Sequence, residues 1–163
     1  MARVWLRFLT EPGVTSWTIR TFSWSDWSHV DFALTNGKFL GARLDGGVEV
    51  RNHDYLTPSR FCYASVEVYG STRRVLGWAT SQLGKPYDWT AILGFGFRRD
   101  WHDPGHWFCS EFVAEAFKLK DAALVDNAAY RITPQTLFES VRVDKEAEGT
   151  VPSWIKDLGY AQS

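Results

Sequence analysis

The chain has 163 residues, a formal net charge of −1, 45% hydrophobic and 23% charged residues, a size and balance ordinary for a single soluble globular domain with a full core. The near-neutral charge and the absence of a Lys/Arg run argue against nucleic acid as a partner, and no apolar run is long enough for an integral membrane segment. Aromatic residues stand out: nine Trp, six Tyr and eleven Phe make up 16% of the chain, which suits a packed core or a groove that grips an apolar or sugar-like ligand.

Residues 3–9 (RVWLRFL) alternate in part and predict a first strand, ended by Glu11-Pro12-Gly13. Residues 14–22, with Trp17 and Ile19, fit one or two helical turns. Three strands are expected in quick succession at 27–34 (WSHVDFAL), 38–44 (KFLGARL) and 47–51 (GVEVR). Asn36-Gly37 and Asp45-Gly46-Gly47 lie between them and tolerate positive φ, as hairpin turns require. A fourth run, 60–69 (RFCYASVEVY), extends a mostly antiparallel sheet. Beyond Gly70 the pattern turns helical over 71–83, capped by Ser71 or Thr72 and stopped at Gly84. A loop with Lys85-Pro86-Tyr87-Asp88 follows, then a short apolar helix over 89–97 and an exposed loop over 98–106. An amphipathic helix starts near Cys109 and runs to about Lys120; Thr133-Pro134 starts another, to about Val141. Trp154, Ile155, Leu158 and Tyr160 are placed to tack down a polar tail. With no internal repeat or linker, residues 1–163 form one α+β domain, a mostly antiparallel sheet packed against helices.

No signal-peptide pattern opens the chain, so it is expected to be cytoplasmic as synthesised, with release or delivery to a cell wall left open. The two cysteines, Cys62 and Cys109, are expected to be reduced thiols in that setting. Cys62 lies in an alternating strand and should be buried with an ordinary or raised pKa. Cys109 opens a helix, where free amides and the positive end of the dipole favour thiolate, so it should be the more nucleophilic. Equally, a small apolar residue at that position serves simply as core.

Of four histidines, His29 sits inside a strand, on the face it shares with Asp31 and Ala33. His53, in Asn52-His53-Asp54-Tyr55, reads as a turn residue. His102, His106 and Cys109, with Asp103, have a spacing worth testing for zinc, but Pro104-Gly105 breaks the helix that would align them. No metal and no cofactor are therefore expected.

Taken together, Ser28-His29-Val30 in a strand, Gly84-Lys85-Pro86-Tyr87-Asp88 in a loop and Phe108-Cys109-Ser110-Glu111-Phe112-Val113 on a helix resemble the circularly permuted branch of the NlpC-type papain-like cysteine peptidases, itself similar to the lecithin–retinol acyltransferase-like proteins. The likeness covers roughly residues 25–120, with histidine before cysteine as in the permuted branch, and extends to small proteins of bacteria and their phages. It implies Cys109 as nucleophile and His29 as its base or ion-pair partner. Tyr87 matches a tyrosine whose hydroxyl faces the oxyanion or the substrate, with the Cys109 backbone N–H as a second oxyanion donor. Ser110 and Glu111 match the motif; Ser110 is a candidate for the oxyanion or substrate contact, and Glu111 in the first turn suits the helix dipole.

The family's third polar residue, which holds the imidazole from the next strand, would fall at about Gly41, which has no side chain to offer. Asp31 can replace it only by leaning along its strand, since i and i+2 neighbours stand roughly 6–7 Å apart. Glu49 would have to reach across Gly41. The simplest expectation is a water or a backbone carbonyl. Three functions follow: an amidase or peptidase acting on cell-wall-type peptides through a Cys109 thioester, a lipid acyltransferase or thioesterase on the same site, or a papain-like shell that only binds such a peptide or acyl ligand. Oligomeric state is not legible.

Overall fold

The computed structural model of the chain describes residues 1–90, 105–118, 123–125, 132–140 and 142–158. Six strands form one antiparallel sheet: β1 (Ala2–Thr10), β2 (His29–Ala33), β3 (Phe39–Arg43), β4 (Gly47–Arg51), β5 (Arg60–Val68) and β6 (Val143–Lys145), in the order β4-β3-β2-β1-β5-β6. The described helices are α1 (Val14–Ser23), α2 (Arg73–Ser81), α3 (Cys109–Lys118), α4 (Pro134–Glu139) and α5 (Ser153–Lys156). The α+β class and antiparallel sheet expected from hydrophobic alternation are those observed. The ambiguous stretch after Gly13 is a helix, and the short β6 was not legible as a strand. The short helix expected over 89–97 lies almost wholly outside the described residues, as does most of the loop over 98–106.

Alternation sorts the strands into two apolar faces. Val4, Leu6, Phe8, Val30, Phe32, Leu40, Ala42, Val48, Cys62 and Ala64 turn towards the main helical layer and pack with Phe112, Val113, Ala116, Phe117 and Leu137. The ring of Phe32 meets that of Phe112 edge-on at 5.7 Å, which seats α3 on β2. The opposite face carries Trp5, Ala33, Phe39, Tyr55, Phe61 and Tyr63, covered by Val151, Trp154 and Ile155. Trp5 and Trp154 stack at 5.8 Å, so the tail is indeed tacked down. Leu158 is 42% exposed and Tyr160 lies outside the described residues.

Two ties place the Lys85-Pro86-Tyr87 loop. Along the edge of β4, the Val48 N–H donates to the Lys85 carbonyl and the Gly84 N–H to the Val48 carbonyl, both at 2.9 Å. On the other side, the Trp107 N–H donates to the Pro86 carbonyl at 3.0 Å and the Asp88 N–H to the Trp107 carbonyl at 3.1 Å. The loop thus bridges the sheet edge and the segment that leads into α3. Gly47 makes this possible: its φ is +73°, and a Cβ there would lie 2.2 Å from the Lys85 carbonyl oxygen. Gly47→Ala is therefore expected to lower the stability measured by urea unfolding by about 2–4 kcal/mol, through positive-φ strain and loss of the β4–loop pairing.

Candidate active site

α3 begins at Phe108, whose carbonyl accepts the first helical bond, from the Phe112 N–H at 2.9 Å. The N–H of Cys109 precedes that ladder and is positioned as a helix-start donor. Glu111, buried, reaches back to the Phe108 N–H at 3.4 Å, the reciprocal half of a capping box. Ser110 is turned elsewhere: its hydroxyl donates to the Ile132 carbonyl at 2.5 Å, and the residue is fully buried. The candidate oxyanion or substrate contact is therefore not made by the Ser110 side chain, which ties α3 to the approach of α4.

His29 is the first residue of β2 and lies opposite Leu9, the last but one residue of β1. By strand parity it belongs to the Asp31 face, whereas α3 packs on the Phe32 face. The two come together because His29 opens its strand, where Cys109 lies close enough to act on the charge of the imidazole. The other ring contact corrects the expectation of a water or carbonyl. Nε2 of His29 lies 2.6 Å from Oδ1 of Asp31. A carboxylate can only accept, so Nε2 carries a hydrogen, and Nδ1 is the ring nitrogen not engaged by Asp31. Glu49, the other carboxylate candidate, is half-exposed and pairs with Arg51 at 3.3 Å.

Gly41 explains how Asp31 leans that far. A Cβ at Gly41 would lie 2.1 Å from Asp31 Oδ1. The position where the resemblance called for an orienting side chain is vacant, and Asp31 fills it from the histidine's own strand. Its second oxygen, Oδ2, accepts from the Arg7 guanidinium at 3.1 Å and from the Tyr55 hydroxyl at 2.5 Å. Neither partner was among the sequence candidates. Arg7, interrupting the apolar run of a central strand, was the one available signal.

The electrostatics follow from this geometry. Burial alone would lower the imidazole, but the charge and hydrogen bond of Asp31, helped by Cys109, outweigh it and raise His29 to about 9. Burial would raise Asp31, yet His29, Arg7 and the Tyr55 hydroxyl hold it well below the usual carboxylate range. Tyr87, 7% exposed, is pushed well above the ordinary phenol value by burial and by the charge of Cys109, so its hydroxyl remains a donor. Burial pushes the Cys62 thiol up to about 11, with its sulfur 3.2 Å from the Glu146 carbonyl. Both cysteines are unpaired thiols.

A cleft of about 380 Å³ opens against His29, Ser28 and Tyr87. Its other walls are Pro12 and Gly13, the start of α1 (Val14, Thr15, Ser16 and Ile19), and Glu11, Arg43, Leu44 and Asp45. Arg43 pairs with Glu11 through both terminal nitrogens and with Asp45 at 2.9 Å. Cys109 is fully buried next to His29 and Tyr87, not on the cleft wall itself.

No family model and no curated protein matches the sequence. Among solved structures the fold is similar to that of the metalloprotein yiiX, DUF1105, from Escherichia coli O157:H7. The TM-score is 0.67 over 91% of this chain and 97% of that chain, at 17% sequence identity. At that identity the likeness concerns the fold alone. Among the described residues no three His, Cys, Asp or Glu side chains converge as a metal-ligand set; the sequence candidates His102 and Asp103 lie outside those residues.

The His29–Asp31 pair sets a pH signature. The folded-state value of His29 lies above its unfolded value of 6.5, so the imidazolium stabilises the fold fully below that pH and loses its contribution as pH rises through about 9. NMR titration of ring-labelled histidine should show one resonance with a midpoint near 9. Asp31→Asn should bring that midpoint down towards or below the ordinary histidine value, and Gly41→Ala should do the same in part by displacing the carboxylate.

Proposed function

We propose that the protein is a thiol hydrolase, with Cys109 as nucleophile, His29 as its acid–base partner and Asp31 as the group that orients the imidazole. The observation that carries this reading is the buried Asp31–His29 pair, in which Asp31 holds Nε2 at 2.6 Å and Cys109, at the start of α3, acts on the same imidazole. The thiol proton rests on His29 as a thiolate–imidazolium pair, and the thiolate attacks a carbonyl carbon. The resulting oxyanion faces the Cys109 N–H and the Tyr87 hydroxyl. Collapse breaks the bond to the leaving group, which takes its proton from the imidazolium. Water, deprotonated by His29, then cleaves the thioester, releasing the acid and restoring the thiol.

The charged wall of Glu11, Arg43 and Asp45 suits the polar backbone of a peptide, so an amide substrate, of the cell-wall type that the resemblance implies, is the leading reading. A lipid ester or thioester is the second. It is favoured by Val14 and Leu44, which line the same cleft and are 78% and 57% exposed. Amine release from peptide substrates, against fatty acid release from acyl esters, separates the two.

Limited iodoacetamide at mildly acidic pH, read by peptide mass spectrometry, is expected to label Cys109 before Cys62, because the Cys62 thiol is held protonated. His29→Ala should slow labelling at Cys109 by about tenfold or more, and Cys109→Ala should abolish turnover. Preferential labelling of Cys62 would count against the nucleophile.

A further inference from the structure

Asp31 is gripped on the side away from His29. Arg7, directly opposite it on β1, is only 4% exposed, and its guanidinium donates to Oδ2 while lying 3.4 Å above the Phe39 ring. Tyr55, from the loop between β4 and β5, donates to the same oxygen and is itself half-buried. Its ring lies 5.2 Å from the guanidinium centres of both Arg7 and Arg43. A buried ion pair contributes little net stability compared with apolar residues of the same size, because desolvation offsets the attraction. Arg7 carries a further cost: among the described residues its buried Nε has no hydrogen-bond partner. An arrangement so poor as a stabiliser, ending on the one carboxylate that holds the imidazole, calls for a role at the site.

We infer that Arg7 and Tyr55 are positioning residues, a clamp on Oδ2 that keeps Asp31 leaned along β2 over Gly41 with Oδ1 on His29. This rests on the Cys109–His29 reading above. Gly41 only leaves the space; with no side chain there to stop it, the carboxylate would be free to swing away from the imidazole. Two donors from two different segments, a strand and a loop, remove that freedom. The clamp acts through Asp31 and touches neither sulfur nor substrate.

Tyr55→Phe tests this with least disturbance, since it removes one hydroxyl and no charge. The readouts are the NMR midpoint of His29 and the iodoacetamide rate at Cys109. If the clamp positions Asp31, the midpoint falls by about one unit or more and the alkylation rate by about tenfold. If Tyr55 were only a hydrogen-bond partner to a carboxylate fixed by other means, Asp31 would become more basic in place and the midpoint would stay or rise; either result overturns the inference for Tyr55. Ser65→Ala removes a buried hydroxyl from the same face of the sheet, opposite Trp5 rather than Arg7; a fall equal to that of Tyr55→Phe would mark the effect as general loosening and overturn the clamp. Arg7→Gln is read by sign. A fall shows positioning and a rise overturns it, showing Arg7 to act only as a like charge that competes with the imidazolium for Asp31. The Cys109 reading is judged apart from this, by whether alkylation of the wild-type protein depends on His29, while the midpoints judge the clamp whatever that result.

Discussion

The site depends on a carboxylate folded across a missing side chain. Strand neighbours on one face stand roughly 6–7 Å apart, yet Asp31 and His29 approach to 2.6 Å, which is possible only because the adjacent position on β3 is Gly41. Across the sheet the same row reads Tyr63, Arg7, Asp31, Gly41, Glu49. It is a polar band set against the aromatic cluster of Phe39, Trp5 and Trp154. Burial makes each charge in it costly, and each is met by the next: imidazolium by carboxylate, carboxylate by guanidinium, guanidinium by the Phe39 face. Such a chain is costly to break at any link and specifies one arrangement of side chains.

The rest of the molecule brings a thiol to the free end of that chain. Helix α3 is anchored on the far face of the sheet by Phe112, Val113 and Phe117 against Phe32 and Leu40. The site therefore could not form in the middle of the sheet, where the two faces are separated by the strands themselves. It forms at the end of β2, where His29 is the first paired residue and the helix start comes level with it. The Lys85-Pro86-Tyr87 loop closes the third side, held at one end by the β4 edge and at the other by Trp107. The first helix completes the cleft: its opening turn lines the same space as His29 and Tyr87.

Charge is distributed unevenly between the two sides of His29. On one side lies the network of Asp31, Arg7 and Tyr55; on the other lies the cleft, lined by the Glu11–Arg43–Asp45 group. The first group sets the charge of the imidazole, and the second lines the cleft beside it.

Much of this was open to reading from the amino-acid order alone, because it rests on local rules. Alternation in residues 3–9 and 60–69, the Asn36-Gly37 and Gly46-Gly47 turns, and helical spacing after Cys109 specify the strands, hairpins and helix with no knowledge of their partners. The order His29, Tyr87, Cys109 marked the residues that converge. What the order could not decide was what holds the imidazole: it pointed to a water or a backbone carbonyl, with Asp31 and Glu49 both near Gly41 and neither on an easy path. That choice depends on cross-strand register and on space: Asp31 faces a vacant Cβ position and is drawn by Arg7 and Tyr55, whereas Glu49 is drawn off by Arg51. The Ser110 hydroxyl was likewise decided by a contact distant in sequence, the Ile132 carbonyl. Short-range pattern determines elements and candidate groups; which way a side chain leans is determined by neighbours that only the folded chain brings together.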